Sequence, residues 1–228
     1  MALTYEDIKG PFLERLARDK RAQALLKKIQ EGGGTYAIAS DYAVRVGECL
    51  AAVLRERAPL LDISEWDLDD LIPRSLGLDH GIVVNACEQV QMDLYRDAGL
   101  GIQYQKPLFD NSRAWGLVTE LRDNPQFTNI ERSFYDQLVN FSQNVVDESI
   151  RANADLMLRS GIESTVIRTP DFKACAWCRA VAGRYDYSEV RDTGNDVWRR
   201  HENCRCTIDY FTTRNGAPYH ARVNNYRK

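Results

Sequence analysis

The sequence predicts an α+β protein, with a mostly α-helical N-terminal body that includes one long helix and a small β-rich C-terminal module. Three observations predict this division. Apolar residues recur at helical spacing up to Gly161, β-branched and aromatic runs replace that pattern beyond it, and four of the six cysteines fall between Cys175 and Cys206. The expected parts are a helical body at 1–127, a long helix at 128–163, a Cys/His module at 164–211 and a basic tail at 212–228.

The composition is typical of a globular chain, with 44% hydrophobic and 28% charged residues. No stretch approaches the roughly 18 apolar residues that span a bilayer. The first thirty residues mix acidic and basic side chains and contain no apolar signal core. We therefore expect a protein that is made in the cytoplasm, is not secreted and has no membrane partner.

Helical periodicity and breakers divide the N-terminal body. The first helical stretch is predicted to follow a break at Gly10-Pro11 and to end, at about position 31, before the glycines at 32–34. Three more helices are predicted at about 38–57, 80–97 and 111–122, with an acidic, turn-rich connection between the first two of them.

The strongest helical pattern lies in the expected long helix. Thr128 and Glu131 have the spacing of a capping box, apolar residues then step by three, four or seven, and Gly161 follows the last turn. So long an amphipathic helix must pack on other helices. Its partners are either the earlier helices of the same chain or neighbouring molecules, and the sequence leaves both open.

Two β-strands are predicted in the C-terminal module, "STVIRT" at 164–169 and "CRCTIDYF" at 204–211. Between them, "GRYDYSEV" at 183–190 continues a hairpin-like pattern. A region this small, with few large aliphatic side chains, gains most from a covalent or metal cross-link.

A cluster of cysteines and one histidine supplies candidate ligands for such a metal. Cys175 and Cys178 have the C-x2-C spacing of a metal-binding turn, and His201 and Cys204 repeat the same gap. Zinc prefers four such donors in a tetrahedron, so these residues predict a structural zinc site, with Cys206 in place of His201 as the main variant. Four protein ligands leave no open position for catalysis. The alternatives are reduced thiols or disulfides formed after release into an oxidising medium.

The remaining two cysteines, Cys49 and Cys87, each fall alone in an apolar helical pattern. Such single cysteines are predicted to be buried small hydrophobic residues.

Charge is distributed unevenly along the chain. From Ser164 onward there are 12 Lys and Arg against 7 Asp and Glu, whereas the preceding part has 18 against 26. The basic end is expected to contact nucleic acid or an acidic protein surface, or else to be simply solvated. The candidate contact residues are Arg199, Arg200, Arg205, Arg214, Arg222, Arg227 and Lys228.

The two cysteine-containing stretches, "CAWCRAVAGRYDYSEV" and "RRHENCRCTIDY", closely resemble the C-terminal module of phage Mu F-like minor head proteins, also called phage head morphogenesis proteins. The resemblance covers about residues 128–211 and departs from the family pattern at Glu202, where many members have proline. The positions that match are Cys175, Cys178, Gly183, Tyr185, His201, Asn203, Cys204, Arg205, Cys206 and Thr207.

This resemblance implies a minor virion protein, present in few copies and associated with the portal, the major capsid protein or the interior of the head. It implies a role in head morphogenesis and in DNA packaging or delivery, with assembly in the host cytoplasm. Packaged DNA would then be the partner of the basic C-terminal region, through salt-sensitive phosphate contacts.

Two other classes of function stay open on the sequence. A metal-dependent nuclease could use the acids near the cysteines, Asp186, Glu189 and Glu202, together with His201, although a histidine that binds zinc cannot also act as the general base. A DNA- or protein-binding adaptor outside the virion is the other. Because no phosphate-binding loop or hydrolase motif is found, we expect no catalytic residues.

Overall fold

The computed structural model describes residues 2–57, 63–124, 126–192, 196–201, 203–214 and 217–218. It confirms a mostly helical α+β fold with a small antiparallel sheet near the C-terminus. The helices of the body are α1 (Tyr5–Arg18), α2 (Lys20–Lys28), α3 (Tyr36–Arg57), α4 (Leu68–Asp97), α5 (Asn111–Asp123) and α6 (Glu131–Arg159).

Helix α1 begins earlier than predicted and runs through Gly10-Pro11. A capping box starts it, in which the Asp7 carboxylate accepts hydrogen bonds from the Thr4 backbone N–H and hydroxyl. Phe12, the residue that follows Pro11, is completely buried in the core. This burial outweighs the one backbone hydrogen bond that proline removes. The chain bends instead at Asp19, whose side chain caps α2 by accepting from the Ala22 N–H at 2.7 Å.

Helix α4 also begins earlier than predicted, inside the acidic stretch that was expected to be a connection. Asp67 caps it by accepting from the Asp70 N–H, and Leu71, Ile72 and Leu76 are buried in the first turns. Pro73 lies within this helix. Packing of the apolar side chains therefore overrides the local signals for a turn.

Helix α6 packs against α3 and α4, so its partner faces come from its own chain. Gly47 lies where α3 closely approaches α6. A Cβ added there would be 2.7 Å from the Val139 Cα and 2.6 Å from the Ser142 Oγ. The predicted capping box at Thr128 and Glu131 does not form. A 3-10 turn occupies Phe127–Asn129, and α6 starts after Ile130 without a side-chain cap.

Four antiparallel strands form the sheet, in the order β2-β1-β3-β4. They are β1 (Glu163–Thr169), β2 (Gly183–Asp186), β3 (Thr207–Arg214) and β4 (Ala217–Pro218), and two short helices, α7 (Ala176–Ala180) and α8 (Tyr187–Val190), lie beside them. The stretch predicted as a hairpin thus turns into a helix after Asp186. Strand β3 extends past the predicted module into the expected tail, whose residues 215–216 and 219–228 lie outside the described ones.

The sheet shares one hydrophobic core with the helical body. Tyr210 of β3 reaches into the helices, where its hydroxyl accepts from the Gln91 Nε2 of α4 at 2.9 Å. The Gln91 Oε1 in turn accepts from the Tyr36 hydroxyl of α3 at 2.7 Å. This buried chain of hydrogen bonds ties the β-rich module to the body.

None of the helices in the described ranges combines the length and the apolar character needed to cross a bilayer. Cys49 and Cys87 are 3% and 0% exposed, which confirms their prediction as buried residues.

Candidate metal centre

The candidate ligands lie at one end of the sheet, where two loops meet. In the antiparallel pair of β1 and β3, Thr169 is opposite Thr207. The loop that leaves β1 therefore lies beside the loop that enters β3. The first loop carries Cys175 and Cys178, and the second carries the other three candidate ligands.

The first turn places two sulfurs side by side. Cys175 is the N-cap of α7, and its Sγ accepts a hydrogen bond from the Cys178 backbone N–H at 3.4 Å. This bond is the main reason that the pKa of the Cys175 thiol is lowered. A backbone N–H that points at sulfur favours the thiolate, which is the form that binds a metal ion.

The second turn depends on an unusual backbone conformation. Asn203 has a φ of 57°, which asparagine tolerates better than most residues. The Cys204 N–H can then donate to the His201 carbonyl at 3.1 Å, which closes the turn. Asn140 of α6 donates to the same carbonyl at 3.0 Å and so fixes the turn against the long helix.

The two turns bring the donor atoms to ligand distances. The His201 Nε2 lies 2.9 Å from the Cys178 Sγ and 3.4 Å from the Cys175 Sγ, and the sulfurs of Cys178 and Cys204 are 3.9 Å apart. Tetrahedral zinc, with bonds of about 2.3 Å to sulfur and 2.0 Å to nitrogen, separates two sulfurs by about 3.8 Å. The cluster can therefore hold a metal ion.

Cys206 is a fifth donor in contact with the others. The ligand atoms form two overlapping sets, Cys175 with Cys178 and His201, and Cys178 with Cys204 and Cys206. The Asp171 backbone N–H donates to the Cys206 sulfur. Cys178 belongs to both sets, and each predicted choice of four ligands contains one of these sets whole and adds one donor from the other.

The inner part of the cluster is closed to solvent. Cys178, Cys204 and Cys206 are each 1% exposed, and Trp177 covers the outer side with its ring centroid 5.7 Å from that of His201. Cys175 is exposed at the rim. Sulfur ligands buried in this way suit an ion that stabilises the fold.

Arg200 was predicted to contact nucleic acid or a partner, whereas the structure places its side chain in the interior. Its side chain is 3% exposed and forms a two-pronged ion pair with Asp147 of α6, at 2.6 and 2.8 Å. It also donates to the Cys206 carbonyl at 2.8 Å and lies 3.9 Å from the Cys204 sulfur. Asp147 is itself buried and requires a cation, which explains why Arg200 is drawn inside.

Arg168 of β1 is a second buried arginine at the cluster, and sequence reasoning missed it. Its guanidinium lies 3.8 Å from the Cys204 sulfur and 4.0 Å from that of Cys178. The pKa of Cys204 is lowered to about 4, first by a hydrogen bond from Cys206 and then by the positive charges of Arg200 and Arg168. The alternation of side chains along β1 puts Arg168 on the same face as the buried Val166, and this pattern was the sequence signal for the burial of Arg168.

Of the other predicted contact residues, the structure describes the side chains of Arg199 and Arg205. The Arg199 side chain is 75% exposed, with Asp196 3.8 Å away. Arg205 faces a cleft of about 960 Å³ between α3 and the loop after β1, where it lies 3.9 Å from Glu48. Only the backbone of Arg214 is described, and Arg222, Arg227 and Lys228 lie outside the described residues.

The acids of the nuclease hypothesis are not gathered at the cluster. Asp186 and Glu189 are exposed, and neither belongs to a metal-binding group found among the described residues. Glu202 lies outside them. His201 is already in contact with two cysteines of the cluster.

Fold and site together define a mostly helical α+β protein with a partly buried cysteine–histidine cluster that can hold a metal ion. Comparison with known proteins found no matching family model, no similar curated protein and no similar solved structure. Any functional proposal for this chain therefore depends on the cluster and on the pattern of its sequence.

Proposed function

We propose that the cluster holds one structural zinc ion and that the chain is a minor structural protein of a tailed-phage head, acting in head morphogenesis. The observation that carries the proposal is the convergence of five soft donors from two separate loops at the end of the sheet. These donors occupy the positions at which the sequence resembles Mu F-like minor head proteins.

Zinc is the metal that the donors favour. Thiolates and imidazole are soft or borderline ligands, and zinc accepts four of them without demanding a geometry of its own. The three innermost sulfurs are buried, so the ion would have no contact with a substrate. Its effect would be to join the loops before α7 and before β3.

The head role is supported by the division of charge along the chain. The acidic part of the chain contains the helical body, whose surface could dock on other head proteins. The basic part contains the cluster and the exposed Arg199, which could face packaged DNA. DNA packaging or delivery would be compatible with this orientation.

The metal proposal is tested by the zinc content of the full chain purified without chelators. We expect one zinc per chain, and loss of most of it in Cys178→Ser, because Cys178 belongs to both ligand sets. Cys49→Ser is the matched control, since this buried cysteine lies in α3 away from the cluster, and it should keep its zinc. Wild-type protein without zinc, under reducing conditions with zinc supplied, would contradict the proposal.

The head proposal is tested by quantitative mass spectrometry of density-purified particles from a culture that produces the phage or prophage encoding this chain. Recovery at a few to some tens of copies per head is the expected result. Absence from particles, with abundance in the lysate, would instead favour an assembly factor or an enzyme. A nuclease would then show magnesium- or manganese-dependent nicking that is lost in Glu202→Gln.

A further inference from the structure

Arg168 is a buried cation whose nearest anionic groups are sulfurs of the cluster. We propose that Arg168 is the counter-charge of the metal site, and that it selects three thiolates and one imidazole as ligands of a divalent ion. This inference rests on the proposed metal site and specifies its ligand set.

The contacts of Arg168 fix its guanidinium in one orientation. The side chain is 2% exposed. Its Nη1 donates to three backbone carbonyls, those of Asp196, Val197 and Arg199. Its Nη2 points to the sulfurs of Cys204 and Cys178. The carbonyls carry no net charge, so they orient the guanidinium and leave its charge uncompensated.

No carboxylate compensates Arg168 in the described part of the chain, where none of the ion pairs includes it. Arg200 differs in this respect, because its charge is cancelled by Asp147 at 2.6 Å. Among the described residues, the three buried charged side chains at the cluster, Arg168, Arg200 and Asp147, therefore sum to one positive charge. A buried charge without a partner is very costly, so the cluster must supply one negative charge.

Counting charge then selects the ligand set. A divalent ion with three thiolates and a neutral imidazole carries one negative charge, which Arg168 cancels. Four thiolates would leave one negative charge in excess, and two would leave Arg168 unpaired. The charge count thus favours His201 together with three cysteines, and the contacts of the His201 Nε2 with the sulfurs of Cys175 and Cys178 make these two of the three. The fourth cysteine stays outside the coordination sphere.

The first test measures zinc affinity of the full-length chain by competition with a chromophoric chelator. Arg168→Met should bind zinc about 10- to 100-fold more weakly, the usual effect of losing an outer partner of metal ligands. Arg191→Met is the matched control, because Arg191 pairs with Asp155 at the surface, and its affinity should be unchanged. Equal affinities of Arg168→Met and wild type would overturn the inference.

A second test separates charge from packing. Cys175→His removes one thiolate at the exposed rim of the cluster, so it should weaken zinc binding in the wild type and strengthen it in Arg168→Met. A misfolded variant would not be rescued in this way. Additive effects of the two changes would overturn the counter-charge role. If the wild type binds no zinc, the proposed metal site itself fails, whereas zinc binding with additive effects contradicts only the role of Arg168.

Discussion

Asp79 of α4 is a completely buried carboxyl whose charge the fold disfavours. It accepts a hydrogen bond from the Ser142 hydroxyl at 2.8 Å, and its other oxygen has no partner among the described residues. Burial raises its pKa from 3.8 to about 7. The folded chain therefore holds a proton that the unfolded chain releases near pH 4, and stability falls as the pH rises from about 4 to about 7.

This titration gives a prediction for Asp79→Asn, which removes the charge at every pH. The variant should be more stable than the wild type above pH 7, by at most about 4 kcal/mol, and similar to it near pH 4. Urea unfolding at pH 5 and pH 8, with zinc present, measures the difference. Asp123→Asn, at an exposed position, is the control. An equal change in unfolding free energy for Asp79→Asn at both pH values would contradict the prediction. Burial also raises the pKa of Asp209 to about 7. Because Asp209 still titrates in Asp79→Asn, the stability of this variant should keep part of its dependence on pH.

Single residues also show what the sequence could reveal of the site. The cysteine–histidine cluster was predictable because these ligand types are rare in the chain and chelation fixes their spacing. The burial of Arg200 was not, because it depends on Asp147, which lies 53 positions away in the sequence. For Arg200 this tertiary partner decides between solvent and the interior, and the local sequence carries no record of it.

At the level of elements, the close contact of α3 and α6 makes Gly47 a sensitive position. A methyl group there would overlap the backbone and side chains of α6, including the Ser142 hydroxyl. Gly47→Ala should therefore destabilise the chain by about 1–3 kcal/mol, the usual cost of overpacking. Chemical denaturation measures this loss.

Gly81→Ala is the matched control for this prediction. Gly81 lies inside α4, and an added Cβ would meet nothing within 4 Å. Alanine should stabilise the helix there by up to about 1 kcal/mol, because it loses less backbone entropy than glycine. A destabilisation equal to that of Gly47→Ala would show that the contact with α6 is not the cause.

Element types followed from periodicity, whereas several boundaries did not. The helical patterns and the two main strands are observed close to their predicted positions. The starts of α1 and α4 were predicted too late, because Pro11 and the acidic stretch before Pro73 resemble breaks. In both helices the apolar face continues across the apparent break, and burying it gains more than proline costs.

At the scale of the whole molecule, the sheet has two different kinds of support. Val166, Ile208 and Tyr210 belong to the same apolar core as the helices. Cys178, Cys204 and Cys206 form a separate small cluster, and the apolar side chains packed against it, Ala174 and Trp177, are partly buried. The strands should therefore be held by the helical body, whereas the loops at their end depend on the metal ion.

This division predicts the effect of removing the metal. Chelation should leave α3, α6 and the paired β1 and β3 folded, but it should release the loop segments at 170–182 and 199–206. Without the ion, Arg168 loses its counter-charge inside the protein, so the melting temperature should fall as well. Hydrogen exchange with mass spectrometry, with and without chelator, gives the test at peptide resolution. Faster exchange confined to the two loops is expected. Loss of protection throughout α3 and α6 would mean that the ion supports the entire fold. Unchanged exchange in the loops would mean that the ion stabilises neither the loops nor the helical body.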